Sequence, residues 1–277
     1  MSHIRKRQLS AAKHCIICGT QLFSGGHAEC KGKSYTMEDF CTIVGEFAGP
    51  NTQFYGVFDG HGGSECSAYV GRNLHQLIAK KLIGHIESPQ NDEIFSAIQN
   101  SINEINEYAI EQWKNQGTTI AIAIIIKDML YTANVGDSRI LLVDKNAGKV
   151  VERLSYDHKA SDINEQKKIL ANDGFIQNDR VAGYLALSRA IGDGGLAGII
   201  SCEATVKATS YAHNQSLVLF CDGVADVVND DEIAKIIKDQ GEAAAAALQI
   251  KRESIERVSN DNVTVVCVDL RPKSEHS

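Results

Sequence analysis

Apolar runs of strand length recur along the chain at 40–47, 53–58, 120–126, 129–135, 140–144, 217–221 and 263–270, each bounded by polar or turn-forming residues. A different period appears between them. Cys66, Val70, Leu74, Leu77 and Ile78, and then Ile94, Ile98, Ile102, Ile105 and Ala109, repeat at helical spacing and mark one apolar face each. Ile233, Ile236 and Ile237, followed by Ala243, Ala247, Ile250 and Ile255, mark a second helix pair near the C-terminus. Strands in the centre with helix pairs before and after predict an α+β sandwich in which helices cover antiparallel sheets. Within it, 131–144 reads as a hairpin, because Gly136 and Asp137 break two strand-like runs with turn chemistry. From about 155 to 198 the chain turns polar and glycine-bearing, with one short helix around 164–170, and reads as a surface flap that carries substrate contacts.

Composition narrows the class. Of 277 residues, 43% are hydrophobic and 23% charged, which is ordinary globular usage and argues against disorder. The longest aliphatic run, 120–126, is a core strand, far short of the roughly 20 apolar residues a membrane span needs. A net charge of -7 argues against a non-specific nucleic-acid binder and suits a cation site. With no proline-rich or glycine/serine-rich linker, one domain is expected. Several of the eight cysteines sit inside apolar runs and read as reduced thiols, and the N-terminus lacks a secretory pattern, so the expected location is intracellular, cytoplasmic or nuclear.

The chemistry lies where acidic residues meet strands. Asp59 follows one apolar run and Asp222 another, each with glycine next, whereas Glu38 and Asp39 precede a run and Asp261 lies just before the last. Strand exits and strand entries share an edge in antiparallel sheets. Neighbouring strands would therefore gather Glu38, Asp59, Asp222 and Asp261 at one rim, too many like charges without cations, and hard oxygen ligands imply Mg²⁺ or Mn²⁺. Two further Asp-Gly pairs, Asp173-Gly174 and Asp193-Gly194, read as plain turns.

The order Met37-Glu38-Asp39, Asp59-Gly60-His61-Gly62-Gly63, Gly117-Thr118-Thr119, Gly136-Asp137-Ser138-Arg139, Leu187 to Asp193, Cys221-Asp222-Gly223 and Asp261-Asn262 resembles the type 2C metal-dependent serine/threonine protein phosphatase family. The resemblance implies a four-layer sandwich of two central antiparallel β-sheets flanked by pairs of α-helices. It places the phosphatase domain at 28–270, between an N-terminal extension, 1–27, and a C-terminal tail, 271–277. It implies two ions per site: Asp59 bridging both, Glu38 and the Gly60 carbonyl completing one shell, Asp222 and Asp261 holding the other. Asp137 joins Asp222 at a weaker third ion. A metal-activated water then attacks phosphoserine or phosphothreonine of a phosphoprotein without a phosphoenzyme, and His61 is the general acid. The chain is expected to act as a monomer, with no nucleic-acid or membrane partner.

Departures from the family pattern are visible. Ser34 stands where the family has a phosphate-clamping arginine, leaving Lys33 or Lys31 to supply a point charge in place of a bidentate fork. Ala225 replaces a bulky aromatic, and 194–204 is short. The missing arginine motivates an alternative, a pseudophosphatase acting as a regulatory binding module, which retention of the carboxylates argues against; a small-phosphoester hydrolase would use the same residues. Cys15, Cys18, His27 and Cys30 offer four zinc-type ligands, but the spacing of the second half is not standard, and the segment reads as an extension. Arg5-Lys6-Arg7 reads as a solvated basic tail.

Overall fold

The computed structural model describes residues 14–272, so the basic triplet at 5–7 lies outside the described residues. The chain begins with β1 (Cys15–Cys18), β2 (Phe23–Cys30), β3 (Phe40–Gly45), β4 (Thr52–Phe58) and the short β5 (Gly60–His61). The helices α1 (Glu65–Lys81) and α2 (Asn91–Gln112) follow, and then β6 (Gly117–Thr118), β7 (Ile120–Ile126), β8 (Met129–Val135), β9 (Arg139–Asp144) and β10 (Lys149–Arg153). The next stretch holds α3 (Ile163–Ala171), β11 (Ile176–Gln177), β12 (Arg180–Val181) and β13 (Ile191–Gly192). The chain closes with β14 (Thr205–Ser210), β15 (Gln215–Phe220), α4 (Asp222–Ala225), α5 (Asp230–Gln240), α6 (Ala243–Glu256) and β16 (Val263–Pro272).

One sheet has the order β1-β3-β4-β7-β8-β14 and the other β10-β9-β15-β16-β2. Every pairing in both is antiparallel except β1 with β3. The period of two along β7 shows how the layers are built: Ile122 and Ile124 face α1 and α2 with Val70, Leu74 and Ile98, while Ala121, Ala123 and Ile125 face the second sheet with Leu141 and Leu219. Both faces are covered, which is why this strand is apolar throughout. Small alanines on the inner face let the sheets approach. On the far side α5 and α6 pack Ile233, Ile237 and Ala247 against the second sheet. The four-layer α+β sandwich expected from the sequence is the fold observed.

One expectation needs correction. The segment 131–144 is not a hairpin: β8 pairs with β7 and β14, whereas β9 pairs with β10 and β15 in the opposite sheet. Gly136, at φ +92, and Asp137 turn the chain from one layer into the other. Both edges of β8 are already satisfied because β14, half-buried along most of its length, occupies the place a hairpin partner would take. Before residue 28, β1 and most of β2 already pair within opposite sheets.

The flap between β10 and β14 has its own small core, including Ala160, Ile169, Val181, Leu185 and Leu187. A buried ion pair ties it together: Glu165 accepts from Arg189 Nε at 2.8 Å and Nη2 at 2.6 Å, and from Ser188 Oγ at 2.8 Å.

Candidate active site

The carboxylates come from strand ends on one rim of the sandwich. Asp59 leaves β4 with its backbone fixed in place: its N–H donates to Thr119 Oγ1 at 3.1 Å, and its carbonyl accepts from Thr119 N at 2.8 Å and Thr118 Oγ1 at 3.0 Å. Asp222 opens α4 directly after β15, its N–H 3.4 Å from Asp59 Oδ2. Gly223 is required there, because a Cβ would lie 1.9 Å from the Asn262 carbonyl oxygen, so only glycine lets this turn seat against 261–262. Asp261 is exposed at the entry of β16, its Oδ1 accepting from Asn262 N at 2.7 Å. Asp137, 4% exposed, follows β8.

Glu38 and Gly60 reach the same rim. The Glu38 side chain is already engaged, accepting from Thr36 Oγ1 at 2.7 Å and from Gly63 N at 3.2 Å. Its own N–H donates to Asn262 Oδ1 at 2.7 Å, while Asn262 Nδ2 donates to the carbonyls of Lys31 and Thr36, both at 2.9 Å, clamping the loop that enters β3. The neighbouring residue goes deepest: Asp39 is 1% exposed, and neither of its carboxylate oxygens has a hydrogen-bond partner. Asp39, Asp59 and Cys221 set ligand atoms within 4.8 Å of one another.

Such crowding governs ionisation. Burial, followed by the charges of Asp222, Asp39, Asp137 and Asp261, pushes the Asp59 carboxyl well above the ordinary carboxylate range. Burial also raises Asp39 to about 7, with Asp222 and Asp261 adding, and Asp137 to about 7, with Asp222 adding. Asp222 rises to about 6 through burial and the charge of Asp261. Among the described residues the cation set against this group is Lys159, whose Nζ lies 3.5 Å from Asp137 Oδ2 and 3.5 Å from Asp226 Oδ1.

His61 is placed by a separate three-stranded sheet, β13-β6-β5, in which it stands opposite Gly117 and Gly192 flanks the same glycine. Its Nε2 lies 2.7 Å from Asp193 Oδ2. Asp193 was expected to be only a turn residue. It does turn the chain, at φ 47 ahead of a single 3-10 turn, but its buried carboxylate also holds the histidine. Lys33 is exposed on the loop between β2 and β3, and Lys31 Nζ donates to the Ser34 carbonyl at 2.6 Å.

Sequence reasoning passed over Asp39, Asp193, Asn262 and Lys159 as site residues. For Asp39 a signal existed: it alternates with Cys41 and Ile43 along β3, the series that faces the other sheet. For Asp193 the signal was its place at the end of the 187–193 motif, although its Asp-Gly pair reads as a turn; for Lys159 there was none, since the flap brings it in from distant sequence.

Comparison with known proteins agrees with this geometry. A family model described as Protein phosphatase 2C matches residues 23–263. The "Probable protein phosphatase 2C 11" of Arabidopsis thaliana is 36% identical over 261 residues, covering 90% of this chain and 67% of that protein. "Protein phosphatase 2C homolog 1" of Saccharomyces cerevisiae is 33% identical, covering 88% and 92%. Among solved structures, a C. elegans sex-determining protein superposes with a TM-score of 0.79 at 25% identity, over 91% of this chain and 66% of that one. A serine-threonine phosphatase 2C from Toxoplasma gondii superposes with a TM-score of 0.74 at 19% identity, over 91% and 96%, a likeness of fold. The fold and the sequence likeness are those of a protein serine/threonine phosphatase. The chain belongs to the protein phosphatase 2C family.

Proposed function

We propose that this chain hydrolyses phosphoserine and phosphothreonine in proteins with two divalent cations, Mg²⁺ or Mn²⁺, held among Asp59, Asp222, Asp261, Glu38 and the Gly60 carbonyl. Asp39 faces the same space, and Asp137 lies at a weaker third position. One observation carries the reading: both Asp39 oxygens and Asp222 Oδ1 are buried without partners beside Asp59. An all-oxygen set short of countercharge fits hard divalent ions and is costly without them. When bound, such ions supply a nucleophilic water at neutral pH and offset charge on the phosphoryl oxygens.

The chain's own residues do the rest. Bonding of Nε2–H to Asp193 fixes the His61 ring, and in the imidazolium form the second proton, on Nδ1, is the one handed to the departing serine or threonine oxygen, leaving the neutral ring still bonded to Asp193. Lys33 supplies a mobile positive charge for the incoming phosphate, which favours attraction over fixed orientation. Cys221, the thiol nearest the carboxylates, is fully buried, with Sγ accepting from Thr264 N at 3.1 Å and donating to Asn262 O at 3.4 Å. That engagement supports hydrolysis without a covalent phosphoenzyme.

The test is release of phosphate from a phosphothreonine peptide with and without Mn²⁺, in the wild type and in Asp59→Asn and Asp222→Asn. Metal-dependent turnover that collapses in both variants is expected. A folded, Mn²⁺-binding chain with no turnover on any phosphopeptide would instead identify a regulatory binding module.

A further inference from the structure

A second cluster of metal-ligating side chains lies away from the carboxylate rim. Cys15 on β1, Cys41 on β3 and His27 on β2 bring two sulfurs and an imidazole nitrogen within 4.8 Å of one another. The fold assembles them from both sheets. Cys15 and Cys41 are register partners in the parallel β1–β3 pair, and both face the core between the sheets. His27 sits on the edge strand of the opposite sheet, paired with Val266. Its neighbour Gly26 points the other way, since a Cβ there would lie 2.2 Å from the Ala244 Cα of α6. Alternation along β2 therefore turns His27 and Glu29 toward the first sheet. Independently of the three ligands, Glu29 Oε2 is buried and has no hydrogen-bond partner.

From this arrangement the geometry points to a zinc site: Zn²⁺ held by the thiolates of Cys15 and Cys41 and a ring nitrogen of His27, with Glu29, outside that 4.8 Å group but next on the same face of β2, turning its unpartnered carboxylate in as the fourth ligand. Two sulfurs with one imidazole and one carboxylate form a four-ligand set that selects a borderline-soft ion over the hard ions suited to the oxygen rim. Binding releases the two thiol protons to solvent. The ligands differ from those the sequence offered. Cys15 and His27 take part, but Cys18 packs on the α1/α2 side of its sheet and Cys30 Sγ accepts from Gly32 N at 3.1 Å. Cys41, 26 positions beyond Cys15 by their numbering, supplies the second thiolate. Such an ion would hold the four-residue β1 in place and tie the edges of the two sheets where β1 and β2 part company.

The experiment uses the full chain, stripped of metal under reducing conditions and held in excess Mg²⁺ so that oxygen sites are occupied, and titrates it with Co²⁺ followed by Zn²⁺. The expected result is a near-ultraviolet thiolate-to-cobalt charge-transfer band that saturates at one Co²⁺ per chain and is bleached by one equivalent of Zn²⁺. Cys15→Ser and Cys41→Ser should each diminish the band and weaken Zn²⁺ binding at least about 100-fold, and Glu29→Gln should weaken it about 10-fold. Asp59→Asn should leave the band intact, because the oxygen rim contributes no sulfur. Absence of the band in the folded wild-type chain overturns the site even where a serine variant fails to fold. A band of undiminished intensity in folded Cys15→Ser or Cys41→Ser overturns it as well.

Discussion

His61 and Asp193, separated by 132 positions in sequence, meet at 2.7 Å across the face of Gly117, where a Cβ would lie 2.2 Å from Asp193 Oδ2 and 2.5 Å from His61 Nε2. The bond exists because glycine leaves the surface of β6 bare, and because β5 and β13 pair with that strand from its two sides.

The consequence is kinetic. Asp193→Asn keeps the shape but exchanges the carboxylate for an amide, so the ring loses its fixed orientation and kcat should fall about 100-fold with KM little changed. Gly117→Ala should do the same by forcing the two side chains apart. Steady-state kinetics, with Mn²⁺-induced thermal stabilisation as the control for an intact rim, distinguish this from general damage. A kcat equal to wild type in Asp193→Asn would remove Asp193 from the proton-transfer apparatus.

Asp39 gives the metal-free chain an unusual pH dependence. Burial, and then the Asp222 and Asp261 charges, raise its carboxyl to about 7, above its unfolded value of 3.8. The folded chain thus holds a proton that the unfolded chain has released, and metal-free stability falls as pH rises from about 4 to about 7. Asp137 and Asp222 add to the same slope, while Lys159 counteracts it at Asp137. Asp39→Asn should raise the metal-free Tm near neutral pH by several degrees, at about 2–4 °C per kcal/mol, while reducing the stabilisation that Mn²⁺ confers. Thermal melts across pH, with and without Mn²⁺, provide the check.

The flap responds in the opposite direction. Burial of Glu165 opposes its ionisation, but hydrogen bonds from Arg189 and Ser188 outweigh it and hold the carboxyl at about 2, below its ordinary 4.5. That contribution is complete above about pH 4.5 and is lost as pH falls toward 2. Arg189→Met strands the carboxylate and should cost about 3 kcal/mol, near 10 °C in Tm. Loss of hydrogen-exchange protection confined to 158–203 would locate the damage in the flap.

Ser34→Arg tests the missing fork. Ser34 is half-buried on the loop clamped by Asn262, with its carbonyl already bonded to Lys31. A bidentate guanidinium there should lower KM for a phosphopeptide about 10-fold, as a well-oriented Arg–phosphate pair exceeds a single lysine charge. An unchanged KM would mean that phosphate orientation is achieved by other groups.

Much of this molecule follows from local rules that survive without tertiary context. The run 120–126 had to be a covered strand because every residue in it is apolar, and the helix pairs followed from apolar spacing on one face. The acidic rim was legible for a related reason: Asp59 and Asp222 each follow the apolar end of a strand, so the strand that buries those residues delivers the carboxylate to its edge. What the sequence could not contain was adjacency between distant segments. A Gly-Asp pair at 136–137 turns a chain equally well into a hairpin or into another sheet, and the choice depends on β14 occupying the edge of β8 from some 70 positions away. Burial likewise distinguished Asp39 from its neighbour Glu38, since one-residue alternation sends one carboxylate inward and leaves the other at the rim. Asp193 reached His61, and Cys41 reached Cys15 and His27, only once strands from different parts of the chain had paired, because hydrogen-bond registry and layer packing depend on the whole fold.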